Sequence, residues 1–455
     1  MDIPINNILE VKKMLKKMKK RAMLATMAIT MTLSFNSNVF AKQINTQPTS
    51  YQTVTEIEDW GAATTKVIVN VGKPIPEGSI TADTFKVHVA RSDERLKKPF
   101  LEEGDRTITK AYVADKDGNP AVQTGKYVVL EMKIGPDISL GSPLNYDWAT
   151  TGFNDWVDMK YTITQQKDIE TSAGTISGLV VDQFAGETRE LVDDFSTGKG
   201  TYDNISLTYA DYSPATDNHK NPLIIWLHGA GEGGTDPTIP ISANKAANFA
   251  SKDMQSYFDG AYVLAPQTPT FWMDGFTGRG DGTSKYENAL MSLIKDYVAN
   301  HKDVDTSRIY IGGDSNGGYM TMLMARDYTN YFAAAFPTCE ALKDTLITDT
   351  QINKLKDLPI WFIAAKTDPV VITSQYVEPT YQRLVDAGAK NVHLSLFDKV
   401  LDTSGSYTKA DGTPYEYNGH WSWIYVYNNK PTDMINGKTT TIMEWLANQN
   451  NSNTK

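Results

Sequence analysis

Gly312-Gly313-Asp314-Ser315-Asn316-Gly317-Gly318-Tyr319 lies between Arg308-Ile309-Tyr310-Ile311 and Met320-Thr321-Met322-Leu323-Met324-Ala325-Arg326. The β-branched and aromatic run before it reads as a buried strand, and the run after it as a helix. Strand, G-x-S-x-G, helix is the context that gives this pattern a mechanical meaning. A turn that tight lifts a serine hydroxyl off the end of a sheet. Gly313 and Gly317 leave room for it because they carry no Cβ. The start of a helix brings backbone N–H groups and a positive dipole end beneath Ser315.

Outward from this stretch, strands and helices alternate. Pro222 to Leu227, Ala261 to Ala265, Arg308 to Ile311, Tyr331 to Phe336, Pro359 to Ala365 and Val392 to Phe397 read as buried strands. Helical patterns lie around Ser284 to Asn300, Asn316 to Tyr328, Ser374 to Ala387 and Thr440 to Asn448. Such alternation predicts an α/β domain over 169–450, with a mostly parallel sheet covered on both faces. The first clear strand of this domain is Ile205 to Tyr212.

A serine hydroxyl is a poor nucleophile until a base takes its proton. The chain has six histidines, so candidates can be eliminated. His88 lies in the N-terminal segment, and His219 and His301 in polar connections before Ser315. His228 ends a strand in another motif, and His393 sits within an alternating strand. His420 remains, in Asn418-Gly419-His420-Trp421-Ser422-Trp423 after a long Gly- and Asp-rich loop. A carboxylate must fix the imidazole tautomer. Asp368 is the first choice, because it follows the strand Ile360 to Ala365. Asp398, at the end of the last strand, is the alternative. The order Ser…Asp…His is the one expected of an α/β-hydrolase.

The Gly-rich run His228-Gly229-Ala230-Gly231-Glu232-Gly233-Gly234 follows another strand. Its backbone N–H groups suit a developing oxyanion. One donor is expected from Ala230 or Gly231, the other from the Asn316 N–H. Without G-K-[ST] the run has no phosphate-loop signature. Glu232 reads as a residue that orders this loop. Trp272 and Trp421 are candidate walls of a substrate pocket, with plain packing as the equal alternative. Cys339 reads as a buried small hydrophobe.

The N-terminal part differs in texture. Basic residues from Lys12 to Arg21 precede a mostly apolar stretch, Ala22 to Phe35, and then Val39-Phe40-Ala41. Residues 1–41 read as a signal peptide, with Met14 or Met18 as candidate starts. Residues 42–53 read as a polar linker and 451–455 as a polar tail. Over 54–168, short period-two runs are separated by Gly, Pro and Asn turns. They predict an all-β sandwich of roughly immunoglobulin size. Its Trp148, Phe153 and Trp156 read as core rather than as an exposed platform. The single cysteine allows no internal disulfide. The net charge of −10 argues against a nucleic-acid partner. After signal removal no membrane span is expected.

The motifs H-G-A-G at 228–231, G-D-S-N-G at 313–317, Asp368 and G-H-W at 419–421 give residues 205–450 a clear resemblance to the α/β-hydrolase superfamily. They look similar to secreted esterases related to the prolyl-oligopeptidase and polyhydroxybutyrate-depolymerase groups, some with an N-terminal Ig-like domain. The resemblance implies a secreted serine carboxylesterase using Ser315, His420 and Asp368, with no metal and no organic cofactor. Its partner is a small-molecule or polymer-linked ester, and no oligomeric state is specified. A serine peptidase of prolyl-oligopeptidase type and a non-catalytic polysaccharide-binding protein are the alternatives.

Overall fold

A computed structural model describes residues 49–216 and 219–451; the segment read as a signal peptide lies outside them. The N-terminal part is a two-sheet sandwich. One sheet has the order Phe184–Arg189, Ser50–Glu58, Gly61–Pro76, Thr124–Met132, Ile108–Ala114. The other runs Val180–Val181, Asp158–Gln165, Phe85–Ser92, Phe100–Arg106. Period-two patterning fills the space between them. Val67, Val69, Val71, Val87, Val89, Val128 and Leu130 share one buried cluster. Ile68 and Val129, one residue out of phase, fall on the opposite face.

The sandwich runs past Asp168, where composition alone put its edge. Phe184–Arg189 lies parallel to Ser50–Glu58, with Val54 opposite Thr188. The segment 169–189 escaped the strand reading because its strands are short, two to six residues each, and broken by glycines.

The second part is built on eight strands. They are β1 (Ser196–Tyr202), β2 (Ile205–Tyr212), β3 (Asn221–Leu227), β4 (Tyr262–Gln267), β5 (Val304–Asp314), β6 (Ala334–Thr338), β7 (Ile360–Ala365) and β8 (Val392–Phe397). Their order across the sheet is β1-β2-β4-β3-β5-β6-β7-β8. β1, β2 and β4 pair antiparallel, and all later pairings are parallel. Both faces are covered, as the continuous apolar runs require. In β3, Leu223, Ile225 and Leu227 enter one core with the helices Glu287–Asn300 and Asn316–Asp327. Ile224 and Trp226 enter the other, with Phe249, Tyr427 and Trp445.

That second core also takes Ile57, Ala62 and Leu144 from the sandwich. The two parts therefore share a hydrophobic interior rather than hanging on a tether. The hairpin tip at Gly61 adopts a φ of 111°, and a Cβ there would lie 2.6 Å from the Ala243 carbonyl oxygen. Beside it, buried Asp59 accepts from Lys245 Nζ at 2.9 Å and from Asn428 Nδ2 at 2.9 Å.

Asp59→Ala removes two bonds to a charged acceptor and leaves the Lys245 ammonium at this seam with Asn428 Oδ1, at 3.2 Å, in place of its carboxylate. Such bonds are worth about 1.5–3 kcal/mol each, so a loss of about 2 kcal/mol or more in unfolding free energy is expected. Chemical denaturation of the purified variant checks it; an unchanged midpoint would show that the seam contributes nothing to stability.

Candidate active site

β5 ends in the G-x-S-x-G turn, and the geometry explains its glycines. Ser315 has φ 52° and ψ −108°, a strained backbone for a residue with a Cβ. Its N–H donates to the Thr338 carbonyl at 3.0 Å, which ties the turn to β6. A Cβ at Gly317 would lie 1.9 Å from the Leu227 carbonyl oxygen, and one at Gly313 2.5 Å from the same atom. Only glycine lets β3, the turn and the following helix approach so closely.

The remaining groups arrive from two loops. Asp368 follows β7, and its Oδ1 accepts from the Val370 and Val371 N–H groups at 2.8 and 2.9 Å. This leaves Oδ2 aimed at His420 Nδ1, 2.8 Å away. His420 Nε2 stands 2.9 Å from Ser315 Oγ. The His420 loop can pass because Gly419 carries no side chain; a Cβ there would sit 2.3 Å from the Thr367 carbonyl oxygen. The Trp423 ring meets the imidazole edge-on at 5.4 Å. Ser315, His420 and Asp368 thus form one hydrogen-bonded chain. Asp398 stands apart, exposed and paired with Lys366 Nζ at 2.7 Å. Cys339 is buried against this chain, its sulfur within 4.8 Å of the facing Asp368 and His420 atoms. Burial pushes its thiol well above the ordinary value, so it packs as a neutral group.

Ser315 and His420 open into a cavity of about 540 Å³. Ala230, Gly231 and Trp421 line it, and Asn316 opens the helix beneath. Trp272 does not belong to it. Its side chain is fully buried, 5.2 Å from the His228 ring and edge-on to Tyr286. Its neighbour Phe271 faces outward instead, against Phe153 of the sandwich at 5.2 Å. The aromatic walls are Trp60, Tyr146, Trp148, Trp421 and Trp423, three of them from the sandwich. Trp148 is 77% exposed, so it is a rim residue and not core. Asn154 joins them from the same hairpin. Aromatics between strands gave a signal for this wall, but not for which way the rings point.

The floor of the cavity is acidic. Glu232 and Asp314 are both buried and flank Gly229; a Cβ there would lie 2.9 Å from Glu232 Oε2 and 2.6 Å from Asp314 Oδ2. Burial raises the Glu232 carboxyl. Burial, and then the charge of Glu232, raises that of Asp314 further. His228, beside them, is held neutral: burial lowers it to about 4. Its Nδ1–H donates to the Gly229 carbonyl at 2.6 Å, and its Nε2 accepts from Thr268 N–H at 3.2 Å. It therefore holds the loop and is turned away from chemistry.

Exchange of Asp368 for Asn keeps the shape but offers the imidazole the wrong partner, so ester turnover should fall by about 10⁴-fold. Asp398→Asn should stay within about twofold, as expected for a surface change. Parallel kinetics of the two variants check this, and a larger loss at Asp398 would move the carboxylate assignment to that residue.

Residues 50–178 match the family described as the esterase Ig-like N-terminal domain, and residues 288–358 match the prolyl oligopeptidase family. Acetylxylan esterase A of Emericella nidulans is 27% identical over 147 residues, which are 28% of this chain and 46% of that protein. Poly(3-hydroxyalkanoate) depolymerase C of Paucimonas lemoignei is 28% identical over 155 residues, 32% of this chain and 33% of that one. The matched stretches thus span a third to a half of these relatives. The crystal structure of a thermostable esterase superposes with a TM-score of 0.71 at 26% identity, covering 88% of this chain and 99% of the other. With the eight-stranded sheet and the turn at Ser315, these matches identify the chain as an α/β-hydrolase preceded by an Ig-like domain of the kind found in esterases.

Proposed function

We propose that this chain is a secreted serine carboxylesterase for small, short-acyl esters. The observation that carries the reading is the hydrogen-bonded chain Ser315–His420–Asp368, open to a cavity at the end of β5. In this reading His420 takes the Ser315 proton as the hydroxyl oxygen attacks the ester carbonyl. Asp368 keeps the imidazole oriented and stabilises the imidazolium. The oxyanion is met by the N–H of Asn316 and that of Ala230 or Gly231. His420 then protonates the departing alcohol, leaving an acyl group on Ser315. A water activated by the same histidine attacks that acyl carbon, and Ser315 leaves with the proton.

The cavity supports a small substrate, since its volume falls in the range of small-molecule sites. Its aromatic walls offer flat surfaces for a ring-bearing alcohol or acid. Resemblance to proteins named for acetylxylan and for poly(3-hydroxyalkanoate) is consistent with a polymer-linked ester. A second reading, a serine peptidase, has the prolyl oligopeptidase match at 288–358 in its favour. Against it, the N-terminal segment forms a two-sheet sandwich and has no room for a gating propeller, whose blades each need about 40–45 residues. Export rests on the basic and apolar residues 12–35, and no helix among the described residues is long and apolar enough to cross a membrane.

A fluorophosphonate should label the protein at Ser315, and Ser315→Ala should lose both label and about 10⁴-fold or more of ester turnover. Near-normal turnover in the folded variant would remove the reading. In a side-by-side assay, nitrophenyl acetate and butyrate should be cleaved far faster than nitrophenyl palmitate or proline peptide anilides. Preference for an anilide would make the protein a peptidase, and preference for palmitate a lipase.

A further inference from the structure

The Ig-like domain packs its hairpin against the oxyanion loop and hydrogen-bonds to it through Asn154. Asn154, on the hairpin Leu144–Asp147 and Phe153–Trp156, donates from Nδ2 to the Gly231 carbonyl at 3.2 Å and to Glu232 Oε1 at 3.2 Å. The loop is shaped to receive this hairpin. A Cβ at Gly231 would lie 3.0 Å from Asn154 Nδ2, and one at Gly233 2.6 Å from the Phe153 ring. Trp156 Nε1 donates to Thr238 Oγ1 at 2.8 Å and pins the hairpin's far end.

Glu232 in turn faces Asp314, the residue before Ser315. Two charges so close, in a buried site, cannot both be present, so the pair retains a proton. Among the described residues, the other titratable groups around the pair are Tyr146 of the hairpin, Tyr427 of the helix Trp423–Tyr427, Cys339 and the neutral His228, and none of these is a cation. Neither oxygen of Asp314 has a hydrogen-bond partner at normal geometry, whereas Glu232 has the Asn154 amide. A donor favours the ionised form of the carboxyl it reaches.

We propose that Asn154 is a positioning residue for the ester reaction: it locks the loop carrying the Ala230 and Gly231 N–H groups, and it keeps the negative charge of the Glu232–Asp314 pair on Glu232. The inference rests on the serine esterase reading. It makes the Ig-like domain a working part of the oxyanion hole, and loop order depends on the ionised form of Glu232.

The test is steady-state kinetics on nitrophenyl acetate, across pH, for the wild type, Asn154→Leu and Glu232→Gln in the full chain. Displacing a catalytic loop by about 1 Å costs up to about 100-fold, so Asn154→Leu should lower kcat about 10- to 100-fold with KM within about threefold. The wild-type acid limb should contain two ionisations. Asn154→Leu should move one of them to higher pH, because the ionised carboxyl has lost its donor, and Glu232→Gln should leave only one. If Asn154→Leu does not fold, Asn154→Ala carries the same readouts. Unchanged kcat, a rise in KM alone, or an acid limb identical in all three proteins would overturn the inference. Fluorophosphonate labelling of the wild type separates the two levels. Absence of a labelled Ser315 removes the esterase reading itself, whereas labelling with unaltered Asn154 variants removes only the role of Asn154.

Discussion

The Leu227 carbonyl oxygen is the point around which the site is fixed. Gly313 and Gly317 close on it from either side of the turn, at distances no side chain would allow. This approach forces Ser315 into a positive φ. The strain is held because β3, β5 and β6 are paired on both sides and buried on both faces. A rigid sheet supplies the support, and the serine is presented at the end of it. Asp368 and His420, brought by loops, meet the serine that this close approach positions.

Around that fixed point the polar groups divide by burial and partner. Asp368 is buried but accepts two backbone N–H groups as well as the imidazole, so its carboxylate is fully satisfied. Glu232 and Asp314 are buried with far fewer partners. Glu340, close by, is held near 8 by burial, with one oxygen accepting from the Leu342 N–H at 2.7 Å. The region behind the serine thus keeps protons on Asp314 and Glu340, which limits the negative charge buried there. The sandwich contributes its aromatic rings and one amide to the same site, which explains a shared core in place of a linker.

The sheet and its turn were legible because their signals are local. β-branched runs, glycine spacing and the position of Asp368 after a buried strand need no knowledge of distant contacts. His420 followed from elimination among six histidines. What could not be read is what depends on packing between the two parts. Trp272 and Phe271 are adjacent, and the sequence does not tell which of them turns inward; the Phe153 ring decides it. Trp148 resembled a core residue until the hairpin's direction placed it on a rim. Asn154 is a polar residue in a short strand, with a role visible only when residue 231 lies beside it. The strands of 169–189 are too short for periodicity to show.

The strand Phe184–Arg189 has a bearing on the order of assembly. It completes the first sheet by lying parallel to Ser50–Glu58, and the bond from Thr55 to Glu187 joins residues 132 positions apart. Long-range parallel pairing is slow, because the closure entropy comes before any contact rewards it. The edge of Ser50–Glu58 therefore stays open through most of the sandwich's formation. It is covered only by the last segment before β1. A nascent chain would carry that bare edge until the hydrolase begins to emerge, so the stretch that ends one domain is also the shield of its beginning.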